Sequence, residues 1–161
     1  MVVIVMGVSG AGKTTIGRML ADSLGWEFCD SDDLHPAANR DKMARGIALT
    51  DADRLPWLSA IREAIDGFQA SGKSAIVACS ALKKLYRKML GADPGQIRLV
   101  WLAGSRELIA HRIAARRGHF MPAGLLASQF AALEPPDCAI RVEVSAPPAE
   151  IVAAIRRELA I

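Results

Sequence analysis

Short apolar runs alternate along this chain with longer segments in which apolar residues recur at helical spacing. The apolar runs predict strands at residues 2–6, 27–29, 75–79, 97–102 and 140–144. The helical spacings predict helices at residues 15–24, 54–70, 82–90, 105–117 and 123–133, and a last one opening at residues 147–148. Strands that alternate with helices favour a parallel sheet with helices on both faces, so the pattern predicts an α/β fold.

Composition narrows the class of protein. The chain has 161 residues, 52% hydrophobic and 23% charged, which fits a single compact domain over residues 1–161. A net charge of +3 suits anionic ligands, but the few scattered aromatic residues indicate no base-stacking surface, so no nucleic-acid partner is expected. The three cysteines are far apart and form no CxxC pair, which argues against a disulfide framework or structural zinc. No apolar run approaches the roughly 20 residues of a bilayer span, so a cytoplasmic protein without membrane contact is expected.

The turn between the first strand and the first helix, residues 7–14, reads GVSGAGKT and matches the phosphate-binding pattern G-x-x-x-x-G-K-[ST]. Glycines let the backbone aim its N–H groups at a phosphate chain at the positive end of a helix. Lys13 is predicted to reach the outer phosphates, and the Thr14 hydroxyl to hold magnesium. The predicted nucleotide contacts are Gly7, Ser9, Gly10, Ala11, Gly12, Lys13, Thr14 and Thr15. A glycine turn that only joins strand to helix is the alternative, and the correct placement of a full match disfavours it.

Two acids after the second strand complete the expected chemistry. The only asparagine, Asn39, is followed by Arg40, so the guanine-reading Asn-Lys-x-Asp motif of regulatory GTPases is missing from the sequence. The third predicted strand ends at residues 79–80 without an acid, so the magnesium ligand must come from elsewhere. Asp30 and Asp32 follow a parallel strand and share a face if the segment is extended, so one can help hold magnesium while the other orients an acceptor hydroxyl and takes its proton. The alternative is that these acids cap a helix or lie in a solvated loop.

Basic residues form two clusters with anion-binding potential. The first follows the third strand and comprises Lys83, Lys84, Arg87 and Lys88. The second precedes and enters a glycine-containing segment and comprises Arg112, Arg116, Arg117 and His119. The second pattern suggests a lid whose arginines close on phosphates during transfer. Solvated helix faces are the alternative for both clusters.

These motifs together resemble the small P-loop gluconokinases, relatives of shikimate kinase and nucleoside monophosphate kinases. Beyond the phosphate loop, the resemblance rests on DSDDLHP at residues 30–36, DADRLPWL at 51–58, CSALKK at 79–84, RGHFM at 117–121 and SQF at 128–130. It implies a P-loop NTPase three-layer sandwich with a five-stranded parallel sheet, a substrate-binding helical region at about residues 34–72 and a lid at about 112–135. It also implies a homodimer that phosphorylates D-gluconate with ATP and Mg²⁺, giving 6-phosphogluconate.

The resemblance also implies roles for individual residues. Asp32 is expected at the acceptor hydroxyl and Asp30 near magnesium, with Lys13 and Arg117 as further catalytic residues. The expected sugar-acid contacts are Asp32, His35, Arg54, Lys83 and His119. Arg112 and Pro148 are expected against adenine, and Arg116 or Arg117 on the phosphates. Other readings stay open: a kinase of shikimate or another small hydroxy acid, a nucleotide kinase, or a non-catalytic nucleotide- or nucleic-acid-binding module.

Overall fold

The computed structural model describes residues 1–92, 97–116 and 123–161. The strands in these ranges are β1 (Val2–Met6), β2 (Glu27–Asp30), β3 (Ala75–Ala78), β4 (Ile97–Ala103) and β5 (Ile140–Glu143). The helices are α1 (Lys13–Leu24), α2 (Ala37–Ala44), α3 (Asp51–Ala70), α4 (Lys84–Met89), α5 (Arg106–Ala115), α6 (Ala123–Ala132) and α7 (Pro148–Leu159), and a 3-10 turn covers Ser31–Leu34. None of these helices combines the length and the hydropathy that a bilayer span requires.

The strands form one sheet in the order β2-β3-β1-β4-β5, and all neighbouring pairs are parallel. The central strand β1 reads VVIVM and is buried along its whole length. Val3 and Val5 pack against α1 and α7, whereas Val2, Ile4 and Met6 pack against α3 and α4 on the opposite face. The sheet therefore lies between two layers of helices, and the predicted three-layer sandwich with a five-stranded parallel sheet is confirmed.

The carboxyl ends of the strands meet at one edge of the sheet because all strands run in the same direction. The GVSGAGKT loop follows β1 there, the 3-10 turn follows β2, and the segment that contains Ser80 follows β3. The N–H group of Gly7 donates to the carbonyl oxygen of Ser80 at 3.3 Å, which ties the loop after β1 to the segment after β3. This edge holds the candidate site.

Two helices at this edge differ from the prediction. The apolar pattern gives no sign of α2, because the residue that this helix buries is the polar Asn39. Helix α3 begins at Asp51 rather than at residue 54, since Thr50 and Asp53 form a reciprocal capping box: each side chain accepts a hydrogen bond from the other residue's backbone N–H. These extra turns place polar side chains over the carboxyl edge of the sheet.

Candidate active site

The loop after β1 has the backbone conformation that phosphate binding requires. Gly10 and Gly12 have φ angles of 81° and 96°, in the left-handed region that favours glycine. A Cβ on Gly10 would lie 2.7 Å from Cγ1 of Ile113 in α5, so a larger residue would also be crowded there. No side chain among the described residues caps α1, whose first-turn N–H groups lack partners within the helix. The loop and the start of α1 can therefore cradle an anion.

Three of the predicted nucleotide contacts use their backbone N–H groups within the protein. Gly7 donates to Ser80, as described above, and Ala11 donates to a carbonyl oxygen of the loop itself at 3.2 Å. The N–H of Ser9 donates to Oε1 of Gln129, in α6, at 2.6 Å. Of the three acceptors, only that of Ser9 is a side-chain atom, which a phosphate oxygen could replace without moving the backbone.

Lys13 and Asp32 line the same cleft. The Lys13 ammonium donates to the carbonyl oxygen of Val8 at 3.0 Å. Loss of hydration lowers the pKa of Lys13, and the carboxylates of Asp32 and Asp30 partly offset this. Loss of hydration raises the pKa of Asp32, and the Lys13 ammonium opposes that shift. The pair places a cation for phosphate beside a carboxylate for an acceptor group.

Asp30 joins the phosphate loop to the turn after β2. Its Oδ2 accepts from the Thr14 hydroxyl at 2.6 Å, and its Oδ1 accepts from the N–H of Asp32 at 3.0 Å. Asp30 therefore caps the 3-10 turn, so the capping alternative is realised at this residue. The expectation that both acids lie on one extended segment is wrong, because the chain is extended only as far as Asp30.

A cleft of about 360 Å³ opens between the phosphate loop, the start of α3, and helices α5 and α6. The predicted site residues that line it are Ser9, Gly10, Lys13, Asp32, His35, Arg54 and Arg116. Residues for which no role was predicted also line it, among them Trp57, Ser80 and Gln129. All three lie in the motifs that carry the resemblance, but Trp57 and Gln129 fall within predicted helices, and the position of Ser80 directly after the third predicted strand is the one further signal that could have assigned it to the site.

His35 is held on the wall of this cleft by two neighbours. Its ring stacks on Trp57 with centroids 4.4 Å apart and planes 9° apart. The Trp57 indole N–H donates to the carbonyl oxygen of Ser31 at 2.7 Å, which fixes the stack to the turn after β2. Burial, helped by the charges of Arg54 and Arg40, lowers the pKa of His35 to about 4. The imidazole is therefore neutral at pH 7.

Arg54 lies in the cleft wall, whereas Lys83 is held outside it. Arg54 Nη1 donates to the carbonyl oxygen of Leu49 at 2.6 Å and to the Tyr86 hydroxyl at 3.3 Å. Lys83 Nζ pairs with Asp51 at 2.8 Å, and Tyr86 donates to the same carboxylate. This pairing raises the pKa of Lys83 and lowers that of Asp51. The structure thus brings Arg54, but not Lys83, to the cleft.

A second cavity of about 370 Å³ lies behind the phosphate loop. It shares Gly10 and Arg116 with the cleft, and its other walls include Thr15, Arg112 and Pro148. The Arg112 guanidinium donates to the carbonyl oxygen of Val144. The structure therefore gathers both residues predicted to lie against adenine, Arg112 and Pro148, in a cavity that adjoins the phosphate loop and that Asp32 does not line.

The predicted lid is described only in part. Arg117 and His119, predicted as a phosphate contact and a substrate contact, lie outside the described residues. Within α6, Leu126 is buried and Phe130 packs against the same core cluster. The segment after α6 is tied to the start of α4, because Glu134 accepts from the N–H of Lys84 at 2.5 Å. This half of the predicted lid is thus packed onto the body of the domain.

Comparisons with known proteins show the family to which this chain is similar. A family model described as an AAA domain matches residues 2–136. A probable gluconokinase of Rattus norvegicus is 45% identical over 98% of this chain and 97% of its own length. The thermosensitive gluconokinase of Escherichia coli (strain K12) is 49% identical over 83% of this chain and 71% of its own. The crystal structure of a gluconokinase from Sinorhizobium meliloti 1021 matches with a TM-score of 0.89 and 44% identity, over 98% of this chain and 90% of that one.

Proposed function

Because the chain belongs to the gluconokinase family of P-loop kinases, we propose that it transfers the terminal phosphoryl group of ATP to D-gluconate, giving 6-phosphogluconate. One observation of the structure supports this most directly. A single cleft holds a phosphate loop with its lysine, Lys13, on one side and a carboxylate, an imidazole and a guanidinium, those of Asp32, His35 and Arg54, on the other. These are the groups that a triphosphate and a polyhydroxy acid require. The relatives do not favour shikimate or a nucleoside monophosphate as the acceptor.

The donor side works mainly by position and charge. In our proposal, Lys13 and the backbone N–H groups at the start of α1 hold the outer phosphates, while Arg112 and Pro148 flank adenine in the second cavity. Arg116 lines both cavities and is suited to neutralise charge on the phosphates. Arg117 is proposed to assist it from the lid.

The acceptor side orients gluconate. Arg54 pairs with its carboxylate, since a guanidinium binds a carboxylate through parallel N–H donors. Asp32 accepts a hydrogen bond from the terminal hydroxyl. As the hydroxyl oxygen bonds to the terminal phosphorus, the bond from that phosphorus to the ADP oxygen breaks and the hydroxyl proton passes to Asp32. Lys83 and His119 remain proposed contacts, and Lys83 would first have to leave Asp51.

Thr14 and Asp30 form a pair of oxygen donors that fits magnesium. The Thr14 hydroxyl and the Asp30 carboxylate lie 2.6 Å apart beside the phosphate loop. Mg²⁺ is commonly held by one or two protein oxygens together with substrate phosphates, so two donors suffice. When bound, the ion offsets phosphate charge. Asp30 is at the same time the residue that fixes the turn carrying Asp32.

The proposal is tested by ADP release from Mg²⁺-ATP in the presence of gluconate, shikimate, glycerate or AMP. We expect kcat/KM for gluconate to exceed that for the other acceptors by about 10²-fold or more, because the site's buried polar groups match its carboxylate and hydroxyls. Preferential turnover of AMP or shikimate would contradict the proposal.

Asp32→Asn tests the acceptor side of the proposal, because it keeps the shape of the side chain but removes the carboxylate. It is expected to lower kcat by about 10²-fold while ATP affinity stays close to that of the parent. A defect in ATP affinity alone would indicate that Asp32 binds the metal ion rather than the acceptor hydroxyl.

Two coarser expectations accompany this function. We propose that the enzyme acts in the cytoplasm, in keeping with a composition that indicates neither a membrane span nor a disulfide framework. The homodimer that the resemblance implies stays a prediction, which sedimentation of the purified protein would test.

A further inference from the structure

The buried side chain of Asn39 makes two contacts that together constrain His35. Its Nδ2 donates to the backbone carbonyl oxygen of Asp53 at 2.8 Å and lies 3.3 Å from Nδ1 of His35. A backbone carbonyl can only accept, so the atom of Asn39 that faces it must be the NH₂ group. The same NH₂ group is therefore the one that faces His35.

The proton on His35 follows from this arrangement. An amide NH₂ can only donate, so Nδ1 of His35 must accept and cannot carry a proton. In a neutral imidazole the proton then resides on Nε2. In the described part of the chain, Asn39 is the only hydrogen-bond partner of this ring, which leaves Nε2 available to a ligand in the cleft that His35 lines.

We infer that Asn39 is a positioning residue that holds His35 in the Nε2–H tautomer, so that His35 presents one neutral hydrogen-bond donor to an oxygen of the acceptor substrate. The role as a substrate donor rests on the proposed function, whereas the tautomer rests on geometry alone. A neutral donor beside Arg54 suits a hydroxyl oxygen of a polyhydroxy acid, because it adds no second positive charge.

The surroundings keep both groups in place. The Asp53 carboxylate, whose pKa Lys42 and the Thr50 cap lower to about 2, accepts from the Lys42 ammonium at 2.8 Å and so joins α2 to α3. The ring of His35 is also stacked on Trp57. Arg54 and Arg40 are the charged groups that act on His35, and both disfavour its protonation.

The test is the ¹⁵N NMR spectrum of ¹⁵N-histidine-labelled full-length protein at pH 7. The chain has three histidines, so the His35 signals are assigned by their loss in His35→Gln. We expect a non-protonated Nδ1 and a protonated Nε2. A protonated Nδ1, in either the other tautomer or the imidazolium form, overturns the inference; the protonation state is measured on the parent protein, and the variant serves only to assign the signals.

Asn39→Asp reverses the hydrogen-bond sense at nearly constant volume. A carboxylate accepts, so Nδ1 of His35 should become protonated, and KM for gluconate should rise on the order of tenfold with a smaller change in kcat. The matched control is Lys42→Met, which loosens the same α2–α3 junction but leaves Asn39 intact. Lys42→Met should keep the parent tautomer of His35. A tautomer change in Lys42→Met but not in Asn39→Asp would overturn the role of Asn39.

The tautomer of His35 and the phosphorylation of gluconate can be contradicted independently. Gluconate turnover together with a protonated Nδ1 overturns the inference and leaves the proposed function standing. The expected spectrum in a protein that does not phosphorylate gluconate overturns the proposed function and leaves the tautomer assignment standing.

Discussion

The two walls of the cleft are built in different ways. The nucleotide wall is one continuous segment, residues 7–15, whose binding groups are mostly backbone N–H groups fixed by glycine geometry. The acceptor wall gathers side chains from separate elements: Asp32 from the turn after β2, His35 from the segment before α2, and Arg54 and Trp57 from α3. Asn39 of α2 contacts His35 without lining the cleft itself.

The difference lies in what holds each wall together. The nucleotide wall is anchored to the buried strand β1, so its shape follows from local backbone conformation. The acceptor wall is held by side-chain hydrogen bonds between elements, such as Trp57 to Ser31 and Asn39 to Asp53. We therefore expect changes in the first wall to affect chemistry without stability, and changes in the second to affect binding and stability together.

The largest expected effect is that of Lys13→Ala on the nucleotide wall. Removing the ammonium removes stabilisation of charge on the transferring phosphoryl group, so kcat should fall by about 10³-fold, which corresponds to about 4 kcal/mol. Steady-state kinetics with gluconate measures it. The midpoint of thermal unfolding should stay near that of the parent, because the hydrogen bond that Lys13 makes within the described residues is to Val8 of its own loop.

Lys84→Ala is the matched control, since Lys84 is exposed and does not line the cleft. It should leave both activity and stability unchanged. If the activity of Lys13→Ala stayed within tenfold of the parent, catalysis would not depend on the one cationic side chain of the nucleotide wall. The contrast drawn between the two walls would then be wrong.

The next effect concerns the acceptor wall and pH. His35 has a pKa of about 4 in the folded chain against an ordinary value of 6.5, so between these pH values the unfolded chain binds a proton that the folded chain does not. Stability contributed by the neutral ring is therefore complete above pH 6.5 and is lost as pH falls toward 4. The loss is of order 3 kcal/mol at most.

Urea unfolding at several pH values between 4.5 and 6.5 measures this slope in the parent and in His35→Gln. The difference in slope isolates His35, because Asp53 titrates at about 2 when folded and the opposing contribution of Asp32 is common to both proteins. Parallel stability curves for the two proteins would show that His35 does not carry the effect.

The strand, loop and helix that form the nucleotide wall could be predicted from the sequence almost completely. Their signal is contiguous, since GVSGAGKT, the apolar run before it and the helical spacing after it all point to one structure. The parallel sheet followed from the alternation of strands with helices, supported by the unbroken apolar runs of β1 and β3. Local backbone preferences decide these features, so a single sequence contains them.

The acceptor wall could be predicted only in part. Asp32 was predicted from its position after the second strand, and His35 and Arg54 from the resemblance; the structure places all three in one cleft. The contacts that hold them were not visible, because α2 has no apolar stripe and Asn39 acts across α2 and α3. Lys83 was predicted to reach the cleft from its position after β3, but it pairs with Asp51 instead. Asp51 is near Lys83 because α3 begins earlier than predicted. Such pairings depend on tertiary contacts that spacing does not encode.

The smallest expected effect, and the sharpest test of the acceptor wall, is that of Arg54→Lys. Lysine keeps the positive charge but loses the planar fork that donates to Leu49 and Tyr86 while facing the cleft. KM for gluconate should rise on the order of tenfold, about 1.4 kcal/mol, with kcat within a few-fold and KM for ATP unchanged.

Arg45→Lys provides the matched control, because Arg45 is exposed and pairs only loosely with Asp41, at 3.7 Å. It should leave every kinetic constant unchanged. If Arg54→Lys instead lowered kcat with KM for gluconate unaltered, Arg54 would act on the phosphoryl group rather than on the substrate carboxylate. The two walls would then share a charge, and the division between a backbone-built donor side and a side-chain-built acceptor side would fail at this residue.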